Sequence, residues 1–416
     1  MNDHASSARD LTHAPVVVDV VSSEQGLLAL AGEWDALAGR SDTALPFNAH
    51  AWAAACWSHF HRHAHGCTEA LLHVVVLREH GRAIAIAPLW IAVRRLPAFT
   101  LRIARWIGDG PSDYGDLLVE TGRTDVAETI AAHLLAPGGP CQLVDLRECP
   151  SDSTAIAALR AALSRHASRI EASHDSTCHA IVATGSWEGY LRNQFRHKRR
   201  TDLRREQRHL AEDGGFAFEI TDRLDPPGAM GDAFGAVQGA HVAGGEARPG
   251  EFNDPVFRPF LDTVLERGAS LGWLKVATLR HHGRVVAYLL GFSWRGRCYL
   301  YNTAHEAGSQ RYGAGKLLML HLFKHLMDDG HVLIDFLRGA ESYKASLTNL
   351  ERHNQRLRAA RMGGSGRLAW HLHERLLPSL EARWPRGADL LRHAGEKGMP
   401  ATGMRLVHRL LRGRPR

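Results

Sequence analysis

The stretch that decides the fold runs from Tyr299 to Leu347: YLYNTAHEAGSQRYGAGKLLMLHLFKHLMDDGHVLIDFLRGAESYKASL. It opens on an apolar segment of strand character and passes through a glycine turn. A helix follows whose Leu318, Leu322 and Leu326 share one face. A second apolar run, HVLIDFL, comes next, and then the pair Tyr343 and Lys344. Glycines let a backbone approach a ligand closely, and a helix start offers unpaired N–H groups at the positive end of its dipole. Gln310, Arg311, Tyr312, Gly313, Ala314 and Gly315, with Lys316 behind them, therefore read as an anion grip or as a plain glycine cap of the helix.

Outward from this unit the chain repeats itself. VVVLREHGRAIAIAPL (74–89) and VATLRHHGRVVAYLLG (276–291) align at a shift of 202, with six identities across nine residues. Each reads as a β-hairpin turning at Gly81 or Gly283. LVDL (143–146) and LIDF (333–336) correspond at a shift of 190, each after an apolar helix. Two matches in the same order point to internal duplication. Both halves read as strand, helices, hairpin, strand, helix, strand. The second half is expected to begin with one long helix from Trp187 to about Glu212. A helix and a strand over 154–182 belong to neither half on local pattern. The expected class is α+β, with mixed sheets covered by helices. Its expected parts are an N-terminal segment 1–14, domains 15–180 and 181–362, and a basic helical tail 363–416.

Composition bounds the function. A chain of 416 residues exceeds one ordinary core. Six cysteines form no C-x-x-C pair, so reduced thiols are expected and no metal site. The first residues lack the basic and apolar regions of a signal peptide, and Arg78, Glu79, His80 and Arg82 interrupt the apolar stretch 71–93. A cytoplasmic location is the expectation. From Glu351 onward fifteen Lys/Arg face five Asp/Glu, so the formal charge of +7 belongs to the tail. Amphipathic basic segments there suit peripheral contact with an anionic membrane or docking to a partner.

Strand, Q-x-x-G-x-G, helix, strand resembles the acyl-CoA core of the GNAT N-acyltransferases. Two such halves with the ending D-F-L-R-G-x-x-x-Y-K (Asp335 to Lys344) resemble the CelD-type acetyltransferases found near polysaccharide genes, and more distantly the Fem-type aminoacyltransferases. PFNAHAW (46–52), APL (87–89), DYGD (113–116) and RHKRRTDLRR (196–205) fit that pattern, which covers about residues 16 to 360. The resemblance implies two tandem GNAT-like domains, the first degenerate. It implies a sheet splayed between strands 297–304 and 331–337 to hold pantetheine. It also implies acetyl-CoA or another acyl-CoA as cosubstrate, direct attack by an amine, and an oxyanion held by a backbone N–H of the fourth strand.

Direct attack needs a neutral amine and a proton for the leaving thiolate. Tyr343 is the candidate acid and Lys344 the charge stabiliser. Glu306 and Asp335 compete as base, with His305 third and water as the remaining alternative. Asp335 otherwise reads as a structural carboxylate paired with Arg338 or Lys344. Asp113, Tyr114 and Asp116 follow a strand end, where they suit a cationic acceptor such as a small amine or amino-sugar, or form a plain turn. The basic run Arg192–Arg208, with Arg196 as its candidate contact, suits a CoA phosphate, an acidic glycan or a tRNA. No RRM, KH or zinc-finger signature singles out nucleic acid. The alternatives are Fem-like aminoacyl transfer from aminoacyl-tRNA and a non-catalytic CoA-sensing scaffold.

Overall fold

The computed structural model describes residues 15–61, 67–96, 99–212, 214–224, 228–243, 250–339 and 341–377. The expected N-terminal segment and most of the basic tail lie outside these residues. The fold is mixed α+β. Its strands are β1 (Val17–Val21), β2 (Glu69–Leu72), β3 (Val74–Glu79), β4 (Arg82–Ala87), β5 (Leu89–Leu96), β6 (Phe99–Trp106), β7 (Leu118–Val119) and β8 (Leu143–Pro150). Then come β9 (Ala167–Val182), β10 (Phe216–Thr221), β11 (Leu274–His281), β12 (Arg284–Trp294), β13 (Arg297–His305), β14 (Leu333–Arg338) and β15 (Leu350–Arg361). Among the described residues two sheets form, of order β1-β3-β4-β7 and β10-β11-β12-β13-β14-β9-β15-β8-β6-β5-β2.

The sequence repeat is a structural one down to its irregularities. β3–β4 and β11–β12 are antiparallel hairpins, and both ladders slip by one residue at the same place, between Leu77 and Arg78 and between Leu279 and Arg280. Both turns place a His-Gly pair at positive φ, His80 (52°) and Gly81 (75°), then His282 (48°) and Gly283 (80°). That is the twist two-residue hairpins require. β12 pairs β11 on one edge and β13 on the other. The equivalent strand of the first half is cut at Pro88 into β4, which pairs β3, and β5, which pairs β6. Proline has no N–H to extend a ladder, and its position divides the first half between two sheets.

The segment 154–182, which local pattern left unassigned, explains how the halves join. Helix Thr154–His166 leads into β9, which pairs with β14 of the second half. β15, the last strand of the second half, pairs with β8 of the first, and β9 and β15 pair with each other. Each half thus lends its final strand to the other.

One expected element is corrected. The single helix from Trp187 to Glu212 is two, Trp187–Gln194 and His197–Glu212. Phe195 between them is extended (φ −122°, ψ 133°) and buried, and Arg200 Nη1 donates to its carbonyl at 2.7 Å. Burying Phe195 beside Tyr190 outweighs the one turn of helix lost. Helix Ala314–Asp328 behaves as expected: Leu318, Leu322 and Leu326 are buried where it packs on β11, β12 and β13.

Candidate active site

β13 and β14 run parallel over three residue pairs, Arg297 with Leu333, Cys298 with Ile334 and Tyr299 with Asp335, and then part. The gap is a cavity of about 380 Å³. Leu289, Leu300, Met319 and Phe336 give it an apolar floor, and Tyr301, Asn302 and Thr303 of β13 form one wall. A bulge opposite Leu290 and Gly291 leaves Tyr301 out of the ladder. Its hydroxyl donates to Pro111 O at 3.0 Å. Bulges re-aim strand residues in this way. Asn302 is held in turn by Gln238, Tyr288 and Glu251.

At the other end of β13, Gly313 caps helix Ala314–Asp328 in the left-handed conformation (φ 65°). The glycine turn read from the sequence thus stands at a helix start. Lys316, however, is engaged: its Nζ lies 2.8 Å from Glu206 Oε2, and Arg199 holds the other oxygen at 3.0 Å. A Cβ added at Gly313 would stand 3.4 Å from Glu206 Oε2, so a carboxylate rests against the helix start. Burial pushes the Glu206 carboxyl up, but Lys316 and Arg199 outweigh it and hold it below its usual range. Gln310, Arg311 and Tyr312 lie in the turn Ala307–Tyr312, and their side chains lie outside the described residues. Ala314 and Gly315 form the first turn of the helix.

Tyr343 and Lys344 both line the cavity, on helix Ser342–Leu347. Burial raises the Tyr343 phenol to about 12, with the Glu341 carboxylate adding to the effect, so the hydroxyl keeps its proton at neutral pH. Lys344 is buried. Its Nζ donates to Arg338 O at 2.8 Å and pairs with Glu341 at 2.9 Å.

Asp335 is fully enclosed and accepts from Tyr114 Oη (2.9 Å), Arg352 Nη1 (3.1 Å) and Leu337 N (2.8 Å). Burial raises its carboxyl, opposed by Arg352 and the Leu337 N–H. Its partner is Arg352, not the Arg338 or Lys344 that sequence proximity suggests. Leu337 stands at φ 59°, a left-handed conformation that costs a leucine roughly 1–2 kcal/mol, and the Asp335 carboxylate holds it there. The turn sends Arg338 into the cavity wall, where it meets Asp113 (2.9 Å), Glu148 (3.3 Å) and Gly110 O (2.5 Å). Glu306 sits outside this lining. It forms a two-pronged pair with Arg284, one contact at 2.9 Å.

The acidic loop of the first half divides. Asp113 lines the cavity beside Gly110 and Pro111. Tyr114 turns inward to Asp335, with Arg352 over its ring at 5.3 Å. Asp116 is buried and accepts from the Leu117 N–H. Tyr114 thus packs the junction between the halves, Asp116 is buried within the first half, and neither is in the cavity lining. Burial raises both Asp113 and Asp116 to about 7, against Arg338 for the first and Ser153 for the second. Arg196 is exposed just before helix His197–Glu212 and is not in the lining. Glu148, Arg352, Asn302 and Glu206 were not singled out from sequence. Among the described residues no cluster of three or more His, Cys, Asp or Glu side chains is arranged to hold a metal ion, and no helix is long and apolar enough to cross a membrane.

Residues 197–345 match the sequence model of the family described as Acetyltransferase (GNAT) domain. A search of the curated proteins finds no match. Among solved structures the chain is similar to FemX, with a TM-score of 0.58 at 10% identity, covering 86% of this chain and 99% of that one. It is also similar to the C-terminal domain of a putative lysylphosphatidylglycerol synthetase from Agrobacterium fabrum, with a TM-score of 0.50 at 15% identity, covering 85% and 97%. At these identities the likeness is one of fold. The parted strands and the glycine-capped helix lie within residues 197–345, the stretch that matches the GNAT acetyltransferase model, in a chain whose fold is shared with FemX.

Proposed function

We propose that the chain is an acyl-CoA-dependent N-acyltransferase. It passes an acyl group, acetyl in the first instance, to the amine of a small molecule or amino-sugar, as polysaccharide assembly requires. The observation that carries this reading is the cavity between β13 and β14, which gathers Tyr343, Lys344, Arg338 and Asp113 at one place. In this reading the half 181–362 carries the chemistry and the half 15–180 supplies the acceptor wall through Gly110, Pro111 and Asp113. The backbone of Gly313, Ala314 and Gly315, with Gln310, Arg311, Tyr312 and Lys316, would hold the phosphates of CoA. The apolar floor would hold its pantetheine arm, and Arg196 would contact its outer phosphate or an acidic acceptor. Acyl-CoA would supply the activated thioester. Tyr343 gives the departing sulfur its proton, and Lys344, fixed on the Arg338 carbonyl, stabilises charge through the turn that holds Arg338. Asp335 orients that turn. Glu306 remains tied to Arg284.

Calorimetry with CoA tests this reading. Wild type should bind CoA at one site and Gly313→Asp should bind none. A second reading is aminoacyl transfer from aminoacyl-tRNA, which the FemX-like fold and the basic helix His197–Glu212 favour. Failure to bind CoA, together with salt-sensitive binding of an aminoacylated RNA, would replace the first reading with the second.

A further inference from the structure

Acyl transfer to an amine that is an ammonium ion in water needs a group to remove a proton, and the candidates read from the sequence are engaged elsewhere. Glu306 is clamped by Arg284 outside the cavity, and Asp335 is filled by three donors. The His305 ring packs against the start of the helix at Gly315. Asp113 differs from all three. Its side chain faces the cavity that Tyr343 and Lys344 also line, and the ion pair it makes is with Arg338.

Its support is rigid. The Asp113 carbonyl accepts from Asn354 Nδ2 at 2.9 Å, and Gly115 N–H donates to Glu148 O at 2.8 Å. The loop is thereby pinned to β15 and β8, the two strands that knit the halves together. A group held to a rigid scaffold keeps the geometry that proton transfer demands.

We propose that Asp113 is the general base that takes a proton from the acceptor's ammonium group. This assignment rests on the acyl-transfer reading. The Asp113 carboxylate accepts one N–H proton and frees the nitrogen lone pair. The N–C bond then forms at the thioester carbonyl and the C–S bond breaks. The sulfur leaves with the bonding pair and takes the Tyr343 hydroxyl proton, the second N–H proton goes to solvent, and the proton held by Asp113 passes through solvent to the Tyr343 phenolate, which restores both side chains. No oxidant or further reactant is needed.

The surroundings suit the role. Burial lifts the Asp113 carboxyl to about 7, where a base is both substantially ionised and basic enough to act. Arg338 and Lys344 pull it down, Glu148 and Asp335 push it up, and the Tyr301 phenol faces it from β13. Because the base works ionised, activity is present above about 7 and falls below it.

The test compares wild type, Asp113→Asn and Asp113→Glu, with acetyl-CoA as donor. One acceptor set consists of amines charged at neutral pH, with glucosamine among them. The other is hydroxylamine, which is uncharged there. Thiol release is followed from pH 5.5 to 9, and CoA binding is measured separately by calorimetry. The expected result is a loss of roughly 10²- to 10⁴-fold in kcat/KM for the charged amines in Asp113→Asn, with the acid limb gone. Hydroxylamine should lose less than about 10-fold, Asp113→Glu should recover part of the loss, and CoA affinity should stay unchanged. Carbon-13 NMR of the Asp113 carboxyl in the wild-type protein should show titration near 7, a readout independent of turnover. The assignment is overturned if Asp113→Asn keeps wild-type rates or its acid limb, or if hydroxylamine and the charged amines are lost equally. If wild type binds no CoA, or releases no thiol with any amine, the acyl-transfer reading itself falls and the base role with it.

Discussion

Glu206→Gln should make the protein bind CoA more tightly. The Glu206 carboxylate stands 2.8 Å from Lys316 Nζ and against the cap of helix Ala314–Asp328, where the proposed function places a pyrophosphate. The phosphate would have to approach that carboxylate and compete for Lys316 as well. Two like charges about 4 Å apart repel by roughly 1 kcal/mol in water-like surroundings and roughly 4 kcal/mol near a protein surface of lower dielectric. Glu206 is about a quarter exposed, so a value near the lower end applies, about 1–2 kcal/mol, or roughly 5- to 30-fold in affinity. The amide keeps the shape and removes the charge. Calorimetry of CoA binding at low and at physiological salt reads the effect, which should shrink as salt screens it. Equal or weaker binding by Glu206→Gln would show that the carboxylate does not oppose the cofactor.

Three further outcomes follow from the same geometry. Tyr343→Phe should lower kcat by roughly 10- to 10³-fold if its hydroxyl protonates the sulfur, with CoA affinity unchanged, as steady-state kinetics and calorimetry together would show. Lys344→Met should lower kcat by roughly 10²-fold. It should also cost about 1–3 kcal/mol of stability in chemical denaturation, because the Arg338 carbonyl and Glu341 lose their buried partner. Asp116 is raised to about 7 in the folded protein, above its unfolded value, so it binds its proton more tightly when folded. Its contribution is therefore fully present below about pH 4 and is lost as pH rises through 7. The melting temperature of wild type relative to Asp116→Asn should fall between pH 4 and pH 8, and a difference independent of pH would refute the raised carboxyl.

Much of the fold was legible because its signals are local. The His-Gly turns, the apolar runs on either side and the leucine stripe of helix Ala314–Asp328 each depend on residues within a few positions of one another. The exchange of β9 and β15 was not legible. Which strand accepts which partner is settled by contacts across the whole chain, and the period-two pattern of each strand fits several neighbours equally. The break at Phe195 was hidden because no glycine or proline marks it and burial of one ring decides it. Of the residues singled out from sequence, Tyr343, Lys344 and Asp113 line the cavity, and a helix start and a loop are where sequence reading looks first. It could not divide the run Asp113, Tyr114, Asp116. The loop bends at Asp113, so the cavity receives Asp113 while Tyr114 and Asp116 are buried elsewhere, and a bend of that kind is set by contacts distant in sequence. Glu206 and Arg352 act across long sequence separations, and nothing near them in sequence announces their partners.

Acyl transfer from labelled acetyl-CoA to a panel of small amines and amino-sugars tests the central claim most directly. Free thiol and product are measured in the same reaction. An acid-stable labelled amide is expected in equal amount to the thiol released, with both lost in Gly313→Asp. Thiol release without amide, or amide formation that survives Gly313→Asp unchanged, would contradict the claim.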